Sequence, residues 1–336
     1  MGVTVKDVAL AAGVSQATAA RALGDYGYVS HAARTTVDEA ARRLGYRRHA
    51  VARALASNVT FTVGLVVSDI ENPFFAAAAR GLSDVLEPAG YTILLANSDE
   101  DLAREERLVE AFRSRRVDGL VVVPSVASAT AHLGDLVAAG VPLVLFDRAV
   151  RGLKVDVVLV DNKQGARTAV EHLVRLGHRR IGLVSDQPEI SSSAERIEGY
   201  RAGIAAAGIP WDDRLISLTG STQADGYRGA KVLLEARRPP SAIFTANNMM
   251  SVGTLLALRD LGLRIPQDVA LVGFDDFEWT TLIEPPLTAV RQPVYQIGHH
   301  AGERLLARLQ GDVSPPRRIR LPTEFVVRGS CGELPR

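Results

Sequence analysis

Polar and aromatic residues recur directly behind short apolar runs of this sequence, at positions where they could bind a small ligand. Asp69, Phe74 and Phe75 follow the apolar run 63–67. Later apolar runs are followed in the same way by Asp147 and Arg148, by Ser192 and Arg196, by Asn247 and Asn248, and by Asp275 and Asp276. Carboxylates, amides and an arginine suit a hydroxyl-rich ligand because paired hydrogen bonds fix its orientation, and a phenyl ring can stack on a sugar ring. The alternative for any one Asp or Asn is a capping or turn role.

The sequence lacks the motifs that would indicate an enzyme. It contains no GxGxxG or Walker phosphate loop and no Gly-x-Ser-x-Gly nucleophile elbow. His299 and His300 fall on a predicted helix, where adjacent side chains point about 100° apart and make a poor metal-binding pair. Cys331 is the only cysteine, which excludes a disulfide framework and a zinc site built on paired cysteines. We therefore expect no catalytic residue, no metal site and no cofactor.

Strands and helices that could position the polar residues alternate along the body of the chain. Apolar runs typical of buried strands occupy 63–67, 92–95, 119–123 and 143–146, and further runs occupy 157–160, 180–184, 242–245 and 269–274. Amphipathic segments long enough for a helix separate them, which is the pattern of a parallel sheet covered on both faces. The sequence therefore predicts an α/β fold of two doubly wound lobes, with a ligand bound in the crevice at the carboxyl ends of the strands.

The N-terminal residues show a different pattern, that of three short helices. Thr4 and Asp7 have the spacing of a capping box ahead of apolar residues at helical spacing. Gly13 ends this first helix, and Ser15 is placed to cap the second, while Ser30 is placed to cap the third. Two short helices joined by a tight glycine-containing turn predict a helix-turn-helix, whose second helix enters the major groove of DNA. The alternative is a small helical bundle that binds nothing.

Charge is divided unevenly between this N-terminal part and the rest. Residues 1–60 contain eight Lys or Arg against four Asp or Glu, and since the whole chain carries +1, the remainder carries −3. A small basic module on a slightly acidic body indicates a polyanion partner for the module alone. A solvated basic helix has the same composition and is the alternative.

Length and composition are those of a globular protein with more than one domain. The chain has 336 residues, too many for one compact core, and 47% of them are hydrophobic. No apolar run approaches the ~18–20 residues of a membrane helix. The first apolar stretch is interrupted by Lys6 and Asp7 and lacks the basic leader of a secretory signal. We therefore expect a cytoplasmic protein.

Several short motifs stand out in the first 55 residues. They are VTVKDVA at 3–9, AGVS at 12–15, Thr18, Arg21, VS at 29–30, GY at 45–46 and HAVARAL at 49–55. These motifs resemble those of one known family, the lactose- and galactose-repressor (LacI-type) transcription regulators. They follow the order of the family's N-terminal signature and hinge, and the resemblance continues to the end of the chain. It implies a transcription regulator, in the simplest case a repressor, that binds double-stranded DNA and a small-molecule effector.

The resemblance assigns DNA-contacting roles within the N-terminal helices. Gln16, Ala17 and Thr18 open the second helix at positions that face base edges, where Gln pairs well with adenine. Four further residues correspond to positions that contact the DNA backbone or flank the bases; these are Thr4, Ser15, Arg21 and Tyr28. The alternative for Gln16 and Arg21 is a solvated helix face. Residues 18–21 read Thr-Ala-Ala-Arg where the family has Thr-Val-Ser-Arg, and the smaller Ala19 puts the docking of this helix and its base preference in question.

A hinge is implied between the helical module and the body. Residues 50–56 have one apolar helical face, but a helix of this length is marginal alone in water. In the resembled family such a hinge helix forms on DNA, pairs with its dimer mate and inserts a leucine into the minor groove. Leu55 is the corresponding residue here, and Arg53 would contact phosphates. The alternative is a linker whose Leu55 packs on the body.

The body of the family is similar in fold to periplasmic sugar-binding proteins, which implies domain boundaries and an effector site. The helix-turn-helix would span 1–48 and the hinge 49–60, followed by a first lobe of 61–161 with 292–320 and a second lobe of 162–291 with 321–336. Asp147, Arg196, Asn247, Asp275 and Gln292 correspond to effector-contacting or cleft positions. The full predicted effector site adds to these Asp69, Phe74, Phe75, Ser192 and Asn248.

The effector implied by these residues is a sugar or a related polyol. The family's purine-binding member has an arginine where this chain has Ile190 and an aromatic residue where it has Ser221. Both differences argue against a purine. Effector binding that closes the lobes would change the spacing of the two hinges in a homodimer, and with it the affinity for a pseudo-palindromic operator.

The chain ends without the leucine-heptad tail on which the lactose repressor's tetramer depends, so we expect a dimer. The alternative function is a sugar-binding protein without a regulatory role. Such a protein would fit the two lobes, but it would need a secretion signal and would have no use for the helix-turn-helix.

Overall fold

The computed structural model describes residues 3–24, 27–46, 59–128 and 131–332. The chain divides into two compact units, residues 1–62 with 116–118 and residues 63–115 with 119–336. Arg53, Leu55 and the predicted hinge helix lie outside the described residues, so these hinge assignments stay predictions.

The first unit contains three helices, α1 (Val5–Ala12), α2 (Gln16–Gly24) and α3 (His31–Arg43). Thr4 and Asp7 form the predicted capping box at the start of α1, and Gly13 ends this helix in the left-handed conformation at φ 65°. The main-chain N–H groups of Thr18 and Ala33 donate to the hydroxyls of Ser15 and Ser30, which cap α2 and α3 as predicted.

A small apolar core holds these helices together. Val8, Ala19, Ala22 and Val37 are each fully buried between the three helices. Ala19 is therefore a core residue of α2. Its small side chain sets the packing of α2 against its neighbours, because a core fitted around alanine resists a larger residue.

The body of the chain alternates strands and helices. Among the described residues its strands are β1 (Thr62–Val67), β2 (Thr92–Asn97), β3 (Gly119–Val122), β4 (Leu143–Phe146), β5 (Asp156–Val160), β6 (Ile181–Ser185), β7 (Ile216–Leu218), β8 (Ala242–Thr245), β9 (Ala270–Phe274), β10 (Thr288–Arg291), β11 (Arg318–Leu321) and β12 (Glu324–Val326). Its helices are α4 (Pro73–Leu86), α5 (Leu102–Ser114), α6 (Ala131–Ala138), α7 (Asn162–Arg175), α8 (Ser191–Ala206), α9 (Gln223–Leu234), α10 (Asn248–Asp260) and α11 (Val294–Leu309).

The strands form two six-stranded sheets. The first sheet has the order β11-β5-β4-β3-β1-β2 and the second has the order β12-β10-β9-β8-β6-β7. Pairing is parallel throughout β1–β3–β4–β5–β11 and β7–β6–β8–β9–β10, whereas β12 runs antiparallel to β10, with Val326 opposite Ala289. The central strands are buried along their whole length, which is what parallel sheets covered on both faces require. The predicted fold, a helix-turn-helix followed in the sequence by two doubly wound α/β lobes, is confirmed.

The chain changes sheet after Val160, after Arg291 and after Leu321. These changes support the predicted lobe boundaries near 161, 291 and 321, which we retain as a proposal. We call the part built on the first sheet the first lobe and the part built on the second sheet the second lobe.

Each lobe has its own apolar core. In the first lobe Leu65 and Phe146 of the sheet pack with Ile297 and Leu305 of α11, all fully or almost fully buried. In the second lobe Phe244, Phe274 and Tyr200 pack in the same way. Burying each such side chain stabilises the fold by about 1.5–3 kcal/mol, so the sheets are rigid supports for the loops at their edges. Among the described residues, no helix combines the length and the apolar character needed to cross a membrane.

Candidate functional site

The start of α2 presents small polar groups to solvent. Ser15 Oγ accepts a hydrogen bond from the N–H of Thr18 at 3.1 Å and forms another with Thr18 Oγ1 at 2.9 Å. Gln16 and Ala17 are exposed beside them. The predicted base-reading residues therefore share the exposed first turn of one helix, which is where a recognition helix contacts base edges.

Other predicted DNA-contacting residues surround this turn. Arg21 Nε donates to the carbonyl of Ala17 at 3.2 Å, which holds the guanidinium along α2. Tyr28 is 88% exposed, which leaves a large aromatic surface uncovered. The Thr4 hydroxyl donates to Asp7 Oδ2 at 2.7 Å, so Thr4 also has a structural role at the start of α1.

A second candidate site lies in a cleft between the carboxyl edges of the two sheets. Nine of the ten predicted effector-site residues line this cleft; they are Asp69, Phe74, Phe75, Asp147, Ser192, Arg196, Asn247, Asp275 and Gln292. The tenth, Asn248, is not a lining residue and lies against Asp275, to which its main-chain N–H donates at 3.2 Å. Residues far apart in the sequence converge here because parallel strands place their carboxyl ends at one edge.

Two aspartates at equivalent places in the two lobes have unusual backbone conformations. Asp147 follows β4 with φ 63°, and Asp275 follows β9 with φ 75°. Each donates its main-chain N–H to a neighbouring strand, Asp147 to the carbonyl of Val158 at 2.9 Å and Asp275 to that of Val290 at 2.8 Å. A left-handed conformation costs a residue other than glycine on the order of 1–3 kcal/mol, and such residues cluster at binding sites. The backbone thus positions both carboxylates at the cleft.

The second lobe orients its lining residues through a connected set of hydrogen bonds. Asp275 accepts from Gln292 Nε2 at 2.5 Å as well as from Asn248. Asn247 caps α10 through an N–H bond from Met250 at 2.7 Å and donates to the carbonyl of Ser221 at 3.1 Å. The alternative capping role raised for such residues is therefore real at Asn247, which lines the cleft as well.

Arg196 is buried and held from three sides. Its Nε donates to Asn162 Oδ1 at 2.8 Å, and its Nη1 donates to the carbonyl of Ala246 at 2.5 Å. The guanidinium carbon lies 3.9 Å from the centre of the Phe274 ring, a cation–π contact. These contacts fix the position of Arg196 independently of a ligand.

Five lining residues were not among the predicted site residues: Asn72, Glu100, Arg148, Asp186 and Ser221. Arg148 is paired with Glu100 through two hydrogen bonds, of 2.5 and 2.6 Å. Glu100 follows β2 and Asp186 follows β6 directly. Both acids therefore follow predicted strands in the sequence, as the predicted site residues do.

Burial changes the acidity of the cleft carboxylates. It raises the pKa of Asp147, against the opposing charges of Arg148 and Arg196, and it raises the pKa of Asp275, against the opposing charge of Arg196. Burial also raises the pKa of Asp186 to about 6, although Arg148 acts in the opposite direction. Removing charge from water is costly, so these carboxylates are primed to accept hydrogen bonds or a compensating positive charge.

One group outside the cleft brings together atoms that can ligate a metal. One ring nitrogen each of His299 and His300 and a carboxylate oxygen of Glu303 lie within 4.8 Å of one another on α11. Glu303 already accounts for this arrangement, since its carboxylate lies 3.7 Å from His299 Nδ1 and 2.7 Å from His300 Nδ1 on a partly exposed helix face.

Comparison with protein families assigns both parts of the chain. Residues 4–49 match the family of bacterial regulatory proteins called the lacI family. Residues 170–331 match the periplasmic binding protein-like domain. The first match covers the helix-turn-helix, and the second covers most of the second lobe together with α11 and β11 of the first lobe.

Individual relatives cover nearly the whole chain. The chain is 34% identical to catabolite control protein A of Priestia megaterium, over 98% of its own length and 99% of that protein. It is 32% identical to the HTH-type transcriptional repressor CytR of Escherichia coli strain K12, over 99% and 97% of the two lengths. Its structure is similar to that of the transcriptional regulator CelR in complex with cellobiose, with a TM-score of 0.75, 33% identity and coverage of 98% and 99%.

Proposed function

Since this chain belongs to the lacI family of bacterial regulatory proteins, we propose that a sugar or related polyol bound in the cleft between its lobes controls its affinity for DNA. The chain is a DNA-binding transcription regulator, and the resemblance noted from its motifs is confirmed. We propose that it acts as a repressor, as its relative CytR is named.

The convergence of polar groups at the cleft is the observation that carries this proposal. Carboxylates, amides and a fixed guanidinium line it together with Phe74 and Phe75, whose rings form an edge-to-face pair with centroids 5.1 Å apart. Sugar hydroxyls both donate and accept, so they can pair with carboxylates and with arginine at once, while aromatic faces pack on the ring carbons. The structural relative CelR was solved with cellobiose, a ligand of this class.

For DNA contact we propose the exposed residues of the first unit. Gln16, Ala17 and Thr18 would read base edges, while Thr4, Ser15, Arg21 and Tyr28 would fix the position on the backbone. Arg53 and Leu55 are proposed for the hinge on the resemblance alone.

A homodimer is proposed for the regulator. Strand β2 ends the order of the first sheet and exposes Leu94 at 37% and Leu95 at 48%. An apolar edge strand invites pairing with another chain. Two-fold symmetry would place two recognition helices on successive half-sites of a pseudo-palindromic operator.

A sugar-binding protein without a regulatory role is the less favoured reading. It would have no use for the helix-turn-helix with its exposed first turn of α2. The relatives catabolite control protein A and CytR are named as regulators and not as enzymes, and we propose no catalytic residue for this chain.

A thermal-shift screen of the full-length chain tests the effector proposal. Neutral sugars and polyols, sugar acids and nucleosides would be added singly, with D-ribose and cellobiose included. A true effector at 100 times its dissociation constant stabilises the folded state by about 2.7 kcal/mol. The ligand found should then change binding to a DNA duplex selected by the protein from a random library. Stabilisation by nucleosides alone would contradict the assignment to sugars and polyols.

A further inference from the structure

We propose that Asp186 makes this cleft reject anionic ligands, so that it selects uncharged or amino-bearing polyols over their phosphorylated and acidic counterparts. The inference rests on the proposed function of the cleft and adds a specificity-determining residue to it. It begins from the charges of the lining residues. These include five carboxylates, of Asp69, Glu100, Asp147, Asp186 and Asp275, against the two guanidiniums of Arg148 and Arg196.

The two guanidiniums are already engaged within the protein. Arg148 is bound by both carboxylate oxygens of Glu100 and donates in addition to the carbonyl of Pro124 at 3.3 Å. Arg196 donates through Nε to Asn162 and through Nη1 to the carbonyl of Ala246, which leaves Nη2 for a ligand hydroxyl. A phosphate at Arg148 would have to compete with Glu100, because bidentate capture of an oxyanion needs a free pair of guanidinium N–H groups.

Asp186, in contrast, can accept a further hydrogen bond. Its Oδ2 accepts from the hydroxyl of Ser193 at 3.0 Å, whereas its Oδ1 is buried and has no hydrogen-bond partner in the described part of the chain. The side chain is only 4% exposed. A buried carboxylate oxygen without a donor is costly. A ligand that donates an O–H or N–H group to this oxygen therefore binds more tightly, whereas a ligand that places an oxyanion there is repelled by like charge.

Neighbouring atoms reinforce this preference for donors. Gln292 Nε2 donates a hydrogen bond to Asp275. Gln292 Oε1 is then a second buried acceptor without a partner among the residues described. On the donor side, Arg148 Nε is buried without a hydrogen bond to any described residue, but it forms an ion pair with Asp147 Oδ2 at 3.4 Å. The cleft therefore offers its ligand more acceptors than donors and an excess of negative charge.

The test uses matched pairs of probes on the full-length chain at pH 7.5 and fixed ionic strength. D-ribose would be compared with D-ribose 5-phosphate, and D-glucose and D-glucosamine with D-glucose 6-phosphate, by calorimetric titration. We expect the neutral or amino member to bind at least about tenfold more tightly than the phosphate, since like charge in a desolvated site is strongly unfavourable. In Asp186→Asn, which retains an acceptor for Ser193, this ratio should fall several-fold.

Asp135→Asn is the matched control, because Asp135 is exposed on α6 and does not line the cleft. It should leave the ratio unchanged. Tighter binding of a phosphate by the wild type would overturn the charge argument while leaving the cleft as the effector site. An unchanged ratio in Asp186→Asn would overturn the role of Asp186. If neither these sugars nor any sugar or polyol of the thermal-shift screen binds, the proposed function fails together with this inference.

Discussion

Single residues of the cleft are held in place before any ligand arrives. Arg196 is fixed by Asn162, Ala246 and the Phe274 ring, and Asp275 is fixed by Gln292 and Asn248. A site arranged in this way loses little side-chain entropy on binding, so each of its hydrogen bonds contributes more of its strength to affinity.

Arg196→Ala and Asp275→Ala should each weaken binding of the effector sugar by about 1.5–3 kcal/mol, because each removes a charge-assisted hydrogen bond. Affinity for DNA without the effector should be nearly unchanged. Calorimetric titration and DNA titration measure the two quantities, with Arg179→Ala as control, since Arg179 is exposed and outside the cleft. Normal sugar binding in both variants would mean that the ligand binds elsewhere.

Asp186 should also make stability depend on pH. Its pKa in the folded protein is about 6, above the usual 3.8, because of burial, while Arg148 and Arg196 oppose the shift and Glu100 adds to it. The folded state therefore holds this proton more tightly, and stability is lost as pH rises from about 4 to 6. Asp186→Asn removes this loss.

Wild type should lose stability when the pH is raised from 4.5 to 7.5, and Asp186→Asn should not. The difference in unfolding free energy between the two proteins should therefore change by on the order of 2 kcal/mol in favour of the variant. Denaturant melts of both proteins at the two pH values measure the difference. An equal pH dependence in the two proteins would show that Asp186 titrates normally.

The sequence was informative about this site to the extent that its residues directly follow recognisable strands. Asp147, Asn247 and Asp275 each come shortly after a strongly apolar run and line the cleft. Glu100 and Asp186 follow strands in the same manner, but their importance depends on what they face across the cleft. Arg148 and Glu100 are 48 residues apart in the sequence, and local spacing carries no information about such a pair.

The positions of the helices in this fold depend on close packing that the spacing of apolar residues in the sequence does not reveal. Helices α4 and α11 cross at a pair of glycines, where a Cβ on Gly298 would lie 1.8 Å from the carbonyl oxygen of Ala78 and one on Gly81 would lie 2.1 Å from that of Tyr295. Four strands were not predicted from the sequence. Strands β7, β11 and β12 are short, only partly buried edge strands, and β10 is a four-residue strand beside the edge strand β12. They lack the continuous apolar runs of the buried central strands.

Gly298→Ala should destabilise the first lobe by about 1–3 kcal/mol or more, because the new methyl group forces the two helices apart. Gly134→Ala is the matched control. Gly134 is also within a helix, but nothing lies within 4 Å of its Cβ position, so alanine there should be neutral or stabilising by up to ~1 kcal/mol. Thermal unfolding followed by circular dichroism compares them, and equal melting temperatures would refute the tight crossing.

Leu55→Ala tests the proposed hinge, which lies outside the described residues. If Leu55 acts as a minor-groove wedge, the variant should lose affinity for the selected DNA duplex and bend it less, with little change in melting temperature. Binding to random duplex at the same salt concentration should hardly change, since phosphate contacts dominate it. Val313→Ala, at an exposed apolar residue of the body, is the control. A large drop in melting temperature with unchanged specificity would instead make Leu55 a core residue.

The whole molecule combines a DNA-binding unit with a two-lobed ligand-binding unit. A ligand can change DNA affinity only by binding one conformation of the protein more tightly than another. A cleft between two lobes meets this condition, because a ligand that contacts both lobes favours their closure. Family membership and the order of the elements could be predicted from the sequence, since motifs and apolar runs are local. The pairing of residues far apart in the sequence, such as Arg148 with Glu100, depends on contacts that no local pattern encodes.

The most direct test of this account is one titration of the full-length chain against its selected DNA duplex, with and without a saturating concentration of the sugar that stabilises it. The account predicts a change in the DNA dissociation constant of roughly 5- to 150-fold, lost in Arg196→Ala. A truncated chain of residues 59–336 should bind the sugar but not the DNA. An unchanged dissociation constant at saturating sugar, or specific DNA binding by residues 59–336, would contradict it.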